Sequence, residues 1–217
     1  MKTRAAPAAL FRKEANMKLI IASNNKHKIE EIKAMLGVRF DRVMGQREAG
    51  LELEVEENAE TLEGNARKKA EEVFALADSL GILENGDAVL ADDTGLLVDA
   101  LDGAPGVRSA RYATEGHDDA ANREKLLKNL SGVPEEKRGA HFATAMVLKR
   151  KGAPDIEATG RVFGRITEDE RGKNGFGYDS LFFYEPMGKT FAELDAEEKN
   201  TVSHRKNALA LVLAALD

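Results

Sequence analysis

The chain has 217 residues, 42% hydrophobic and 32% charged, which excludes disordered and fibrous classes and suits one domain at roughly 150 residues per domain. Lys plus Arg number 32 against 38 Asp plus Glu; the net charge of −6 argues against a nonspecific duplex-binding surface, so an anionic ligand needs a local basic pocket. The absence of cysteine excludes disulfides, thiolate metal sites and thiol nucleophiles, and fits a cytoplasmic location.

Residues 1–16, MKTRAAPAALFRKEAN, imitate a signal peptide, but Pro7 interrupts the apolar part and Arg12, Lys13 and Glu14 follow at once. We read them as an N-terminal extension, disordered or upstream of an alternative start at Met17, ahead of a single domain over 17–217. The apolar run Lys18 to Ala22 predicts a buried strand, followed by the polar turn Ser23-Asn24-Asn25. Ile29, Ile32 and Leu36 recur at helical spacing, Gly37 supplies a stop, and Val38 to Met44 reads as a second strand, completing a βαβ-like opening.

Ala59 to Ser79 predicts a long helix capped by Asn58, with Leu62, Ala66, Val73 and Ala77 on one stripe and Lys69 among them. Ala88 to Ala91 is a strand ending in Asp92-Asp93-Thr94-Gly95; Leu96 to Leu101 continues apolar up to a turn at 103–106. Asp119 to Leu130 is helical, and Phe142 to Lys149 pairs with Asp155 to Ile166 as an antiparallel hairpin around Gly152 and Pro154. Thr190/Glu193 and Asp195/Glu198 have capping-box spacing, and a last helix places His204, Ala208, Leu211 and Ala215 on one stripe. The longest apolar run, Ala208 to Leu216, is less than half of the roughly 18–20 residues a membrane helix needs. The fold class is α/β with a mixed sheet.

Four segments could carry chemistry, and each also has a bland reading. Ser23-Asn24-Asn25-Lys26-His27-Lys28 is a strand-to-helix turn whose free amides and lysines suit an anion, although Asn25 could be a simple N-cap and the lysines solvated. Asp92-Asp93-Thr94-Gly95 sets two carboxylates side by side, a cost that a divalent cation or a lysine would offset, yet a surface turn could use the same residues. Glu52, Glu54, Glu56 and Glu57 offer further oxygen ligands within a run that is mostly solvated, and Lys69 is directed inward or snorkels past its stripe. Gly175-Phe176-Gly177-Tyr178-Asp179 can present aromatic faces to a planar base, or plug the core. In Ser203-His204-Arg205 the guanidinium can fork onto a carbonyl or phosphate, or lie on the surface. His27, His117 and His141 have no partner at metal-ligand spacing.

Taken in order, these segments resemble the inosine/xanthosine triphosphate pyrophosphatase family from about Met17 to the C-terminus. The likeness rests on S-N-N-K-H-K, the acid Glu57 ahead of E-G-N-A-R-K-K-A, A-D-D-T-G-L, G-A-P-G-V-R-S-A-R-Y, G-F-G-Y-D and E-E-K-N-T-V-S-H-R. It implies an elongated two-lobed α/β fold around a central mixed sheet with the active site in the cleft, and commonly a homodimer. It further implies that Ser23, Asn24, Asn25, Lys26, His27 and Lys28 bind the triphosphate of ITP, dITP or XTP, and that Glu57 and Asp93 hold magnesium or handle the proton of the attacking water. Lys69, Thr94, Phe176, Gly177, Tyr178, Asp179, Lys199, His204 and Arg205 would surround the substrate; from its donor chemistry we take Arg205, with His204 beside it, as the candidate donor to the base carbonyl, and Phe176 and Tyr178 as the apolar surfaces that hold the ring. The chain departs from the family in Ser180, where proline is usual after G-Y-D, and in Thr94 for serine. A pyrophosphatase acting on pyrimidine or modified nucleotides, and a non-hydrolysing nucleotide sensor, are the rival readings; G-F-G-Y-D and S-H-R weigh against the first, and Glu57, Asp92 and Asp93 against the second.

Overall fold

In the computed structural model the described residues are 17–37 and 39–216, so the extension over 1–16 and the expected strand start at Val38 lie outside them. The apolar run forms β1 (Lys18–Ile21), and α1 (Lys26–Leu36) starts behind Asn25, whose side-chain oxygen accepts the Lys28 N–H at 3.2 Å. The second strand is shorter than expected, β2 (Arg42–Gly45), and lies parallel to β1. The long helix α2 (Leu62–Ser79) is capped by Thr61, not Asn58: the Thr61 hydroxyl accepts the Gly64 N–H at 3.0 Å. Asn58 instead accepts a bond from Lys68 Nζ at 3.0 Å, so the helix begins three residues later than its polar lead-in suggested.

The expected strand break at Asp92 does not occur. Strand β3 (Ala88–Val98) runs through both acids, followed by the two-residue β4 (Pro105–Gly106), the helix α3 (Asp119–Asn129) and β5 (Gly139–Arg150). The reason is pairing: β5 matches β3 residue for residue from Ala88↔Arg150 to Val98↔Ala140, and such a continuous ladder overrides a local turn preference. The hairpin partner β6 (Ile156–Ile166) follows, then β7 (Phe182–Tyr184), β8 (Lys189–Thr190), α4 (Ala196–Val202) and α5 (His204–Leu216). Both capping boxes form, Thr190/Glu193 on a 3-10 turn and Asp195/Glu198 on α4. Strand order is β2-β1-β3-β5-β6-β7-β8 with β4 beside β3; only β2, β1 and β3 are parallel, so the sheet is mixed.

Alternation along β3 divides the core. Ala88 and Leu90 pack toward α1 and α5 with Ile32, Leu36 and Ala208, whereas Val89 and Ala91 pack toward α2 with Ala66, Ala70 and Val73. Farther along, Leu96, Phe142, Phe182 and Phe191 join Leu126 of α3 in a third cluster, so β3 and β5 contribute to all three. Among the described residues no helix is long and apolar enough to cross a membrane.

The last helix corrects the expected stripe. Leu211 is 53% exposed and Ala215 is exposed, while Arg205, Ala208, Leu209 and Val212 are buried. Alanine and leucine surround this helix, so periodicity alone cannot choose a face; a close approach to β6 does. A Cβ on Gly160 would stand 2.2 Å from Ala208 N and 2.3 Å from His204 O, both backbone atoms that cannot swing aside. Gly160→Ala should therefore lift α5 from the sheet, cost about 1–3 kcal/mol and lower Tm by several degrees. An unchanged thermal midpoint would contradict this seating.

Candidate active site

The site follows from where the sheet opens. Strand β1 pairs with β3 only over Ala88, Val89 and Leu90, and the last tie is Ala22 N–H to Leu90 O at 2.8 Å. Strand β4 covers the same edge again at Leu96 and Leu97. Between these points β1 has turned away into the Ser23–Lys28 segment, and a cavity of about 740 Å³ occupies the gap beside Asp93 and Thr94. Such a crevice beyond the carboxyl ends of parallel strands is where α/β sheets accept ligands.

The cavity gathers nearly all the residues singled out in the sequence: Ser23, Asn24, Asn25, His27, Lys28, Glu57, Lys69, Asp93, Thr94, Phe176–Asp179, Lys199, His204 and Arg205 all line it. Lys26 does not; it is exposed on the first turn of α1. Sequence reasoning missed Glu31 and Asn65. Both stand at helical spacing from a residue it found, Glu31 three after Lys28 and Asn65 four before Lys69, and that shared face was the available signal.

Adjacent strand residues point to opposite faces, so the two aspartates meet different partners. Asp92 points to the α1/α5 side, where Arg205 Nη2 lies 3.0 Å and Lys28 Nζ 3.3 Å from Oδ2. Burial would raise its pKa, but Lys28 and Arg205 outweigh burial and hold the carboxyl well below the usual aspartate range. Asp93 points to α2: Oδ2 accepts a bond from Asn65 Nδ2 at 3.1 Å, Oδ1 accepts one from the Thr94 N–H at 3.1 Å, and Lys69 Nζ is 3.7 Å away. There burial wins over Lys69 and Lys28, and the Asp93 pKa is pushed up. Lys69 also reaches Glu57 Oε1 at 3.1 Å; burial pulls its pKa down, but Asp93 and Glu57 together hold it above its ordinary value.

On the opposite wall, Asp179 organises the aromatic loop. Its Oδ2 accepts the Phe176 N–H at 2.9 Å and a bond from Lys199 Nζ at 2.7 Å, in space that a Cβ on Gly175 would fill at 2.1 Å. Phe176 stacks on His27 across the cavity, ring centroids 5.4 Å apart. Glu31 joins the two sides, accepting from Lys199 Nζ at 3.1 Å and from Arg205 Nη1. His204 stacks on Phe142 at 4.8 Å; burial and then Arg205 keep its imidazole neutral by lowering the pKa, and among the described residues its Nδ1 has no hydrogen-bond partner.

Buried cations, a pair of separated acids and an aromatic wall in one cavity suit an anionic ligand bearing a planar group. The sequence pattern of the Ham1 family matches residues 19–215. The chain belongs to the Ham1 family. It is 50% identical over 195 residues to the dITP/XTP pyrophosphatase of Leuconostoc mesenteroides subsp. mesenteroides, covering 89% of this chain and 93% of that protein. The corresponding protein of Clostridium perfringens, of the same name, is 45% identical over 192 residues, covering 88% and 93%. The solved Ham1 protein of Staphylococcus aureus superposes with a TM-score of 0.77 at 39% identity, over 92% of this chain and 97% of that one. The family resemblance read from the motifs is borne out.

In this Ham1 protein the two aspartates should separate in a stability measurement. Asp92→Asn leaves Lys28 buried without its acid and Arg205 with Glu31 alone, and should cost about 3–5 kcal/mol in chemical denaturation. Asp93→Asn removes a charge that burial already disfavours, and should change stability by less than about 1 kcal/mol. Because the folded pKa of Asp92 is depressed, its contribution is present above the ordinary aspartate pKa and lost as pH falls through the folded value, so Asp92→Asn should also flatten the acid limb. Equal losses for the two variants would refute the assignment of structural weight to Asp92.

Proposed function

We propose that this protein hydrolyses the deaminated purine nucleoside triphosphates ITP, dITP and XTP to the nucleoside monophosphate and pyrophosphate, cleansing the nucleotide pool. The observation that carries the reading is one cavity lined together by Lys28, Lys69, Glu57, Asp93, Phe176, Lys199, His204 and Arg205. Family membership and the dITP/XTP pyrophosphatase name of two relatives support it.

The Ser23–Lys28 turn and the α1 N-terminus present amides and a lysine to the triphosphate, and Lys69 adds charge from α2. Glu57 and Asp93 would hold magnesium. Two hard oxygen donors, rather than a full cage, fit an ion that completes its shell with phosphate oxygens and water; among the described residues no group of three or more potential ligands is placed for a metal. When bound, such an ion neutralises charge on the phosphates. Asn65 and the Thr94 amide fix the orientation of the Asp93 carboxylate, which with Glu57 would hold the ion or handle the proton of the attacking water.

Hypoxanthine and xanthine carry a carbonyl where adenine carries an amino group, so donors in the base pocket accept the former and oppose the latter. Arg205 has five N–H groups and uses four of them on Asp92, Glu31 and Thr94, leaving one on Nη1 for that carbonyl. An unmatched buried donor costs roughly 1–3 kcal/mol, enough to reject ATP about tenfold or more. We further propose a cytoplasmic homodimer, a reading that rests on the family resemblance and the cysteine-free composition and that light scattering can check for the oligomer.

Pyrophosphate release across a nucleotide panel, with and without magnesium, tests the function: dITP and XTP should be turned over far faster than dATP, and only with metal. Asp93→Asn should lose more than about 10²-fold in kcat while still binding nucleotide. A near-normal rate at saturating magnesium would overturn the assignment of Asp93.

Base reading is tested by Arg205→Lys, because Arg205→Ala would strand Asp92 and Glu31 and probe the fold as well. The lysine keeps the charge but loses the fork, so the dITP-to-dATP ratio of kcat/KM should narrow by about tenfold. Equal proportional losses on both nucleotides would move base reading to Asp179 or to backbone groups.

A further inference from the structure

Beside the aromatic loop, where Asp119 joins the cavity lining, two polar side chains bind one glycine peptide and two more brace them. Gly177 has φ of 61°, the left-handed region that glycine enters freely, so nothing intrinsic fixes the chain between Phe176 and Tyr178. Helix α3 grips it instead. The Gly177 N–H donates to Asp119 Oδ2 at 2.9 Å, and the Gly177 carbonyl accepts from Arg123 Nη1 at 2.9 Å. Asp119 and Arg123 are four residues apart and share a helix face, so one turn of α3 holds both polar groups of that residue.

Arg123 is itself held. Its Nε forms an ion pair with Glu170 Oε2 at 2.9 Å, and the same oxygen accepts the Ser180 hydroxyl at 2.8 Å. Burial pushes the Glu170 pKa up, but the bonds from Arg123 and Ser180 outweigh it and leave the carboxyl below its ordinary value. Ser180 directly follows Asp179, so the circuit Gly177, Arg123, Glu170, Ser180 closes around the end of the loop. Its geometry decides where the two aromatics go. Phe176 turns into the cavity against His27, while Tyr178 is buried with its hydroxyl on the Ser109 carbonyl at 2.8 Å.

We propose that Asp119 and Arg123, braced by Glu170 and Ser180, are positioning residues that aim the Phe176–Asp179 loop and thereby set affinity for the base end of the substrate. The proposal rests on the reading of that loop as the base side of a nucleotide site. Glu170 is half exposed, and ion pairs of that kind contribute little to folding, so its loss can be read in function without unfolding the protein.

The test compares wild type, Arg123→Met, Glu170→Gln, Asp119→Ala and Asp119→Asn by KM and kcat on dITP, by inhibition with inorganic tripolyphosphate, which can occupy only the phosphate side, and by Tm. Arg123→Met and Asp119→Ala should raise KM for dITP about tenfold with kcat within about threefold, and the tripolyphosphate inhibition constant should stay within about twofold. Glu170→Gln should move KM in the same direction by about threefold, and Asp119→Asn, which keeps a carbonyl acceptor for the Gly177 N–H, should restore most of what Asp119→Ala loses. If Arg123→Met does not fold, Glu170→Gln and the Asp119 pair decide the matter. Unchanged KM in the variants that fold, or a tripolyphosphate constant rising in step with KM, overturns the proposal while leaving the pyrophosphatase reading intact. A wild type that releases no pyrophosphate from dITP overturns both.

Discussion

Two neighbouring carboxylates buried in one strand are the constraint around which this molecule is built. An uncompensated buried charge costs several kcal/mol, against a total stability of about 5–15 kcal/mol for a typical domain. Because side chains alternate across a strand, Asp92 and Asp93 make their closest charge contacts on opposite faces, Lys28 and Arg205 for the first and Lys69 for the second. Lys28 comes from α1, Arg205 from α5 and Lys69 from α2, so the acids pin three helices to both faces of β3. The apolar clusters choose which faces these helices cover, and the charges determine their depth and register at the sheet opening.

From Asp92 the pairing continues without interruption through Arg205, Glu31 and Lys199 to Asp179, whose carboxylate fixes the start of the aromatic loop. Acid and base alternate along this path, which is why so many charged groups can be buried together. These partners fix the orientation of each group, so under the proposed function a bound phosphate would exchange partners with them and would not have to order them. That preorganisation is the condition under which electrostatic stabilisation of a transition state is most effective.

Much of this was legible in the sequence, for identifiable reasons. The KLII strand, the Asn25 cap, the α2 stripe and both capping boxes depend on neighbours in the chain, and each formed where local chemistry required. The errors arose where a distant partner decides. Asp92 to Gly95 reads locally as a turn, but β5 holds it in a strand; Leu211 reads as a core position, but the missing Cβ of Gly160 seats α5 on another face. The same division holds in the site. Residues inside recognisable motifs line the cavity, whereas Glu31 and Asn65 are identified only by groups more than twenty residues away, Lys199 and Arg205 for the first and Asp93 for the second. Asp92 and Asp93 are indistinguishable as letters, and only alternation across β3, once the strand is known to continue, assigns them to opposite sides.

This arrangement also determines where selectivity must come from. Every nucleoside triphosphate offers the same phosphates, so under the proposed function Lys28, Lys69 and the α1 amides would capture a triphosphate without telling one base from another. Under that proposal discrimination falls to the rest of the cavity lining, where charge is already matched and few polar atoms remain uncommitted. His204 Nδ1 and one N–H of Arg205 are such atoms, and both are rigidly held, the first by ring stacking on Phe142 and the second by Asp92 and Glu31. A donor or acceptor that cannot move converts a mismatch into a full penalty, since it has no alternative partner to turn toward. The acids that make the cavity costly to bury thus also immobilise the Arg205 guanidinium, so under the proposed function the price of the buried network and the sharpness of base recognition would have one physical origin.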